Sequence, residues 1–246
     1  MSGAAQSNKR GRGRPPAFDR REALRRAMRL FWDRGYEGTT FDELTTAMGI
    51  SPSSFHNSFG SKQRLYAEAT DFYLNETARW FADTLSGQAD ARAAFQALVE
   101  ATAEQFTCGG RPAGCMICLA GTHVAPACDA IREMMMTHRA LGEQTLKARL
   151  DEGIASGDLP GDTNAAALAA FFSAVFRGMA VQARDGATRE RLLEVGRLAM
   201  RAWPDAPAAL SQSAAGSADR PMPDCVRKRR GTPAGKSRSA AAPRSA

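Results

Sequence analysis

Two groups of side chains in this sequence have types and spacings that could do chemistry. The first is a run of short polar residues, SPSSFHNSFGSK, which covers positions 51 to 62. The second is a set of cysteines at positions 108, 115, 118, 128 and 225. Hydroxyl, amide and imidazole groups can donate hydrogen bonds to phosphates and base edges, whereas a Cys-x-x-Cys spacing occurs in redox and zinc sites. The sequence therefore contains one candidate polar binding surface and one candidate thiol site.

Two amphipathic helices are predicted just before the polar run, over residues 19–34 and 40–48. Each begins with a capping-box pattern, in which Asp or Thr is followed three residues later by Glu, and each stops at a glycine. Apolar residues recur at i, i+3, i+4 and i+7 in the first and at similar spacing in the second. Each helix is therefore expected to pack one apolar face against a hydrophobic core.

The polar run itself predicts a third, short helix. Ser51 is a natural N-cap and Pro52 a natural first-turn residue. Phe55 and Phe59 are four residues apart, share one face and can pack on the preceding helices. Two short helices joined by a tight turn, the second with small polar side chains at its N-terminal end, form a helix-turn-helix. Small residues there let the backbone approach base edges in the major groove of DNA.

Residues 14–70 closely resemble the N-terminal DNA-binding domain of the TetR/AcrR family of bacterial transcriptional repressors. Four parts carry the resemblance in the family's order and spacing: a helix ending RGY, then TxxEL, AxGIS and FGSKxxL. The resemblance implies an all-α protein. Its N-terminal three-helix helix-turn-helix domain would occupy residues 18–62, and a C-terminal helical domain for ligand binding and dimerisation would occupy residues 63–203.

The resemblance also implies which residues contact DNA. Thr40 and Lys62 correspond to the phosphate clamps, and both lie at helix N-termini, which favour anions. Residues at recognition-helix positions of the family would touch bases and backbone: Ser51, Ser53, Ser54 and Asn57. His56 departs from the family pattern, which usually has tyrosine; histidine donates from a ring nitrogen over a shorter reach, with a strength that varies with pH. Helix capping or solvated surface is the alternative for each residue.

The net charge of +7 at pH 7 resides in the two ends of the chain. Residues 1–21 and 204–246 each carry +5, which leaves −3 for the middle. Residues 1–17 are predicted to be a disordered basic arm. Its Arg12 and Arg14 resemble the core of an AT-hook, which places arginines in a narrow A·T minor groove; a nonspecifically basic arm is the alternative. The tail from residue 204 is also predicted to be disordered and basic.

The remaining residues predict a helical second domain. Helices are expected over residues 62–86, 91–107, 128–155, 164–185 and 188–203, with a shorter one between 115 and 125. The resemblance identifies the last two long helices as the dimer helices of the family. Small residues there would let helix pairs pack closely across a twofold axis: Ala166, Ala169, Ala170, Ser173, Ala174 and Gly178. The alternative is that this face belongs to the core of one subunit.

Cysteines in the middle of this domain are the candidates for a ligand or redox site: Cys108, Cys115 and Cys118. An odd number of cysteines without a signal peptide favours free thiols. A zinc site would need a second cysteine pair or a close histidine pair, and His123 and His138 are far apart in sequence. Redox or electrophile sensing and simple burial both stay open, since free cysteine is among the most often buried residue types.

The predicted function is that of a homodimeric repressor that binds a near-palindromic double-stranded DNA operator. A small-molecule inducer of unknown identity would fill the second domain and release the DNA. The sequence has no run of about 18 apolar residues and no signal peptide, so a cytoplasmic location is expected. No cofactor, metal or enzymatic activity is expected, since phosphate-loop, zinc-protease and nucleophile-elbow motifs are missing. The alternative is a cysteine-based redox or electrophile sensor, or a detoxifying enzyme, that uses the cysteines of residues 108–118.

Overall fold

The computed structural model describes residues 18–121, 125 and 128–204, and within these residues it contains helices and no β-strand. The α-helices are α1 Arg20–Arg34, α2 Phe41–Met48, α3 Pro52–Phe59, α4 Lys62–Phe72, α5 Trp80–Ser86, α6 Ala91–Thr107, α7 Met116–Leu119, α8 Asp129–Ser156, α9 Ala165–Arg184 and α10 Arg189–Ala199. A π-helical turn, Tyr73–Thr77, follows α4, and a 3₁₀ turn, Met200–Ala202, follows α10. The predicted all-α class is confirmed. Arg12, Arg14, His123, Cys225, the arm and the tail from residue 205 onward lie outside the described residues.

Side-chain caps at the starts of the first four helices fix their boundaries. Thr40 forms the complete capping box with Glu43 that the sequence predicts. Asp19 accepts from the backbone of the first turn of α1, but Glu22 pairs with Arg26 instead of completing a box. Each such cap satisfies backbone N–H groups that a helix start leaves without partners, at about 1 kcal/mol. Four closely spaced helices are therefore encoded locally.

Aromatic side chains hold the helix-turn-helix together. Phe55 and Phe59 of α3 are fully buried, as predicted, together with Phe31 of α1 and Tyr66 of α4. The rings of Phe31 and Tyr66 meet edge-to-face with centroids 4.8 Å apart. Fully burying each such side chain contributes roughly 1.5–3 kcal/mol, so these aromatics anchor α3 on the helices around it.

The predicted helix over residues 62–86 is interrupted, which corrects the sequence-based expectation. In one continuous α-helix, Tyr73 and Trp80 would share a face because seven residues span about two turns. The wide turn at Tyr73–Thr77 separates them. Tyr73 consequently packs in the core around α1, while Trp80 packs against the core of the second domain. Contacts with distant parts of the chain decide this break.

The second core surrounds α9. Phe172 of α9 meets Phe95 of α6 edge-to-face at 4.8 Å, and α10 approaches α6 so closely that a Cβ on Gly196 would lie 2.0 Å from Val99 Cγ1. By length and composition, with a mean hydropathy of 1.4, α9 could also cross a membrane. A core helix passes the same test, and one face of α9 is buried inside this domain.

Candidate nucleic-acid interface and ligand cavity

The polar face of α3 points outward, as the helix-turn-helix prediction requires. Ser51, Ser53, His56 and Asn57 are exposed, and Ser54 is half-buried. Ser51 Oγ accepts from the backbone N–H of Ser54 at 3.2 Å and lies 3.0 Å from the hydroxyls of both other serines. The Ser51 hydroxyl already caps the helix. The side chains on this helix that are most available to DNA are therefore those of Ser53, His56 and Asn57.

His56 has a defined tautomer when its ring is neutral. Its Nδ1 lies 3.1 Å from the carbonyl oxygen of Gly60, and a carbonyl can only accept, so Nδ1 carries the proton. The ring also stacks on Phe41, with centroids 5.3 Å apart. In this arrangement the neutral ring offers only a lone pair at Nε2. A hydrogen bond to phosphate therefore requires the imidazolium form.

The two predicted clamp residues are held by neighbouring side chains. Thr40 donates its backbone N–H at 2.8 Å and its hydroxyl at 2.9 Å to Glu43 Oε2, and these bonds lower the pKa of the Glu43 carboxyl. Thr40 Oγ1 also accepts from Glu43 N at 3.2 Å. The Lys62 ammonium lies over the ring of Tyr36, 4.4 Å from its centroid. Burial lowers the pKa of Lys62, and nearby negative groups, including Glu37, oppose that shift. Both residues are thus positioned in the absence of DNA.

A cavity of about 160 Å³ lies between the helices of the second domain. Its wall is mainly apolar and aromatic, with Phe81, Phe106 and Phe176 among the lining residues. The polar groups of the wall include Arg139 and Arg177. Arg177 Nη2 bonds Ser173 Oγ at 2.9 Å, so this guanidinium is fixed at the wall. Such a cavity suits a small, largely apolar molecule that carries an oxygen acceptor.

The structure brings two of the three candidate cysteines together. Cys115 and Cys118 both line the cavity, whereas Cys108 is exposed and lies outside it. Tyr73 Oη donates to Cys115 Sγ at 3.2 Å. A hydrogen bond from the Cys118 thiol and this bond from Tyr73 lower the pKa of Cys115, although burial acts in the opposite direction. The bond to Cys115 and burial raise the pKa of Cys118. Among the described residues, no group of three or more His, Cys, Asp or Glu side chains could hold a metal ion.

The small residues of α9 lie on two different faces. Ala169 and Ser173 are buried in the subunit core. Other small residues of the predicted dimer face are exposed or half-buried: Ala166, Ala170, Ala174 and Gly178. Larger apolar side chains extend this surface, with Phe171 at 41 %, Val181 at 49 % and Leu198 of α10 at 60 % exposure. An exposed apolar surface of this kind is typical of a protein interface.

Comparison with known proteins assigns both halves of this architecture. Residues 23–69 match the family described as bacterial regulatory proteins, tetR family, and residues 91–199 match the tetracyclin repressor-like C-terminal domain. The chain belongs to the TetR family. It is 32 % identical over 203 residues to the HTH-type transcriptional repressor ComR of Escherichia coli K12, covering 82 % of this chain and 97 % of ComR. The repressor BdcR of the same organism is 28 % identical over 76 % of this chain and 90 % of its own length.

Solved TetR-family structures agree with this assignment. A cysteine variant of the regulator CifR, in complex with a 26-base-pair double-stranded operator, is 43 % identical with a TM-score of 0.76. It covers 78 % of this chain and 100 % of its own. A TetR regulator from Rhodococcus sp. RHA1 is 35 % identical with a TM-score of 0.52, over 75 % of this chain and 98 % of its own. The protein is a DNA-binding transcriptional repressor of the TetR family.

Sequence reasoning missed two residues at these sites. Arg64 lies with its guanidinium over Gly60, beside the polar face of α3, and is exposed. Tyr73 is the partner of Cys115, although 42 positions separate them in sequence. The FGSKxxL pattern places Arg64 at the start of a helix and could have drawn attention to it. No local signal identifies Tyr73.

Proposed function

We propose that this repressor acts as a homodimer that leaves a near-palindromic operator when a small molecule occupies the cavity. The observation that carries the proposal is the outward polar face of α3, with Ser53 and Asn57 exposed above the buried Phe55 and Phe59. A rigid helix that presents short polar side chains fits the major groove. We further propose that the protein works in the cytoplasm and associates with the nucleoid when bound to DNA.

We assign different residues to the contacts that position the protein on the DNA backbone and to the contacts that read the bases. Thr40 and Lys62 hold phosphates, and the arm residues Arg12 and Arg14 add charge-dependent affinity. Four residues of the α3 segment contact bases and the adjacent backbone: Ser51, Ser53, Ser54 and Asn57. His56 adds a phosphate contact in its charged form. The cysteine variant of CifR bound to operator DNA supports this use of the fold.

The exposed surface of α9 and α10 supports the dimer. Exposed apolar side chains lie beside alanines and Gly178, which allow close helix approach. Two half-sites one helical turn apart require two recognition helices at about 34–36 Å, which only a dimer of this chain supplies. The outer surface of α9 and α10 is therefore the proposed twofold interface.

Release by a ligand requires that the ligand favour the conformation that binds DNA poorly. The cavity lies between α9 and the loop that carries Cys115, so an occupant touches the proposed dimer helix directly. An aromatic wall with guanidinium groups favours small molecules that are mostly apolar and contain at least one oxygen. This is the proposed inducer class.

DNA selection followed by fluorescence anisotropy tests the proposed function. The purified full chain is used to enrich binding fragments from a random double-stranded library. Lys62→Ala should weaken selected and random DNA alike, whereas Ser53→Ala and Asn57→Ala should change the preferred sequence. Ser86→Ala, on the surface of α5, is the matched control and should change neither. Equal losses on every sequence for the α3 variants would remove the base-reading role.

A further inference from the structure

We propose that the Cys115 thiol is a covalent acceptor for small α,β-unsaturated carbonyl compounds, and that this modification is what releases the repressor from DNA. The proposal rests on the proposed function, because the modified thiol lies in the wall of the proposed inducer cavity. It adds the chemical class of the ligand and the atom that the ligand reacts with.

Cys115 Sγ has a hydrogen-bond donor aimed at it. Tyr73 donates its hydroxyl at 3.2 Å, and Cys118 lines the same cavity wall. Donors aimed at a sulfur stabilise its thiolate, which is the nucleophilic form of cysteine. Contacts within this pair lower the pKa of Cys115 and raise the pKa of Cys118. Cys115 is therefore the nucleophile, and Cys118 keeps its proton. This difference in pKa identifies Cys115 Sγ as the reacting atom.

The cavity around the thiol determines which electrophiles can react. With a volume of about 160 Å³ and aromatic walls, it accepts a small ring or short chain and excludes large, strongly hydrated molecules. Arg139 and Arg177 lie in the same wall, and their guanidinium groups are donors for the carbonyl oxygen of an enone. A hydrogen bond at that oxygen withdraws electron density from the β-carbon. The site therefore favours a carbonyl that is conjugated to a double bond.

The reaction is a net addition of the S–H group across a carbon–carbon double bond. The Cys115 thiolate attacks the β-carbon, so a C–S bond forms while the π bond breaks, and the electron pair moves through the α-carbon to the carbonyl oxygen. The resulting enolate takes one proton from water at the α-carbon, which balances the proton that the thiol lost. No other bond forms or breaks, and no oxidant or reductant takes part.

An adduct on Cys115 acts directly on the DNA-binding half of the molecule. The ring of Tyr73 packs edge-to-face on Trp32 of α1, with centroids 5.0 Å apart, and both residues are buried. Cys115 itself packs against both hydrophobic cores. The cavity has room for the ring of the adduct, but the sulfur becomes a thioether, so Tyr73 loses its bond to the thiolate, and Tyr73 and the α1 residues that pack on it shift to make room beside the modified sulfur. The helix-turn-helix is built on α1.

The segment around Cys115 cannot absorb the change by moving towards the second domain. A Cβ on Gly114 would lie 2.6 Å from the carbonyl oxygen of Ala180 in α9, so the chain already touches that helix. Arg139 of α8 donates to the carbonyl oxygens of Ile117 at 3.1 Å and Ala120 at 2.7 Å, which fixes α7 from the other side. The segment around Cys115 can therefore move only towards Tyr73 and Trp32.

The test uses the full chain, DNA fragments selected by the unmodified wild type, and cyclohex-2-enone as the probe. Intact mass and peptide mapping should show one probe added to the wild type at Cys115, and anisotropy should show a loss of affinity of about tenfold or more, within the usual range of coupling between sites. Cys115→Ser should gain no probe at this position and keep its affinity. Cys108→Ser removes an exposed thiol outside the cavity and should behave as the wild type.

Tyr73→Phe separates an activating role of the hydroxyl from a packing role. It keeps the ring against Trp32 but removes the donor to Cys115, so the pH at which modification reaches half of its maximal rate should rise. A pH profile identical to that of the wild type would show that Tyr73 does not activate the thiol.

Several results would overturn the proposal. These are a probe found only on other cysteines, full DNA affinity with Cys115 modified, or equal loss of affinity in Cys115→Ser. Peptide mapping and anisotropy of the modified wild type give the first two answers even if the serine variant fails to fold. Failure of the unmodified wild type to select any DNA would instead reject the proposed function, so the two failures are distinguishable.

Discussion

Gly178→Glu separates the proposed dimer interface from the subunit core. A Cβ on Gly178 would meet nothing within 4 Å, so a single subunit has space for a longer side chain. Glycine in a helix interior costs about 1 kcal/mol relative to alanine, whereas glutamate is a good helix former. The isolated subunit should therefore gain roughly 0.5 kcal/mol of stability from this substitution.

The dimer should respond in the opposite direction. Across a twofold axis the substitution brings two carboxylates together, and like charges about 6 Å apart repel by about 3 kcal/mol at an effective dielectric constant of 20. That corresponds to roughly a hundredfold weaker dimer before any steric overlap is counted. Operator affinity should fall with it, because one subunit makes half of the contacts.

Sedimentation velocity over a concentration series gives the dimer constant, and circular dichroism melting reports on the fold. Ala82→Glu, at an exposed position of α5, introduces the same charge away from this surface and should leave the dimer intact. A Gly178→Glu protein that dimerises as the wild type would place the interface elsewhere. A Gly178→Glu subunit that no longer folds would contradict the open space at this position.

Three further predictions test other parts of the structure. His56→Ala should weaken operator binding in anisotropy titrations, because it removes Nε2, the ring nitrogen that is not engaged with the carbonyl oxygen of Gly60; unchanged affinity would show that this ring makes no contact with DNA. Replacing Arg10, Arg12 and Arg14 with alanine should flatten the slope of log K against log salt by roughly two to three units, and an unchanged slope would show that the arm makes no phosphate contact. Gly196→Ala should destabilise the fold by about 1–3 kcal/mol in urea unfolding, since its Cβ would overlap Val99, and Val99→Ala in the same chain should recover part of that loss.

Local signals explain why the DNA-binding half was predictable. Thr40 with Glu43, and Ser51 with the following turn, satisfy the backbone within three residues, and Gly49 ends α2 with a positive φ of 68°. Such features depend on neighbours in sequence and survive any change of tertiary context. The boundaries of α2 and α3 consequently agree with the sequence prediction.

The failures of prediction share one physical origin. The break after α4 serves Tyr73, whose partners Trp32 and Cys115 lie about 40 positions away on either side. The division of the α9 alanines into buried and exposed faces depends on which helices pack on α9, and periodicity alone does not identify them. In both cases the deciding contact joins parts of the chain that are distant in sequence.

The contacts between the two halves bear on how a ligand could release DNA. Arg184, in the last turn of α9, donates to the carbonyl oxygens of Trp32 at 2.5 Å and Asp33 at 2.9 Å in the last turn of α1. These bonds stabilise the negative end of α1 and tie it to the proposed dimer helix. A ligand that fills the cavity and leaves Tyr73 in place can act on α1 only through α9, since a ligand with equal affinity for both arrangements of α1 shifts neither. A ligand that displaces Tyr73 loosens the packing on Trp32 while Arg184 still holds the end of α1. Under that constraint we expect α1 to pivot about its C-terminal end, which would change the direction of α3 relative to the second subunit of the proposed dimer.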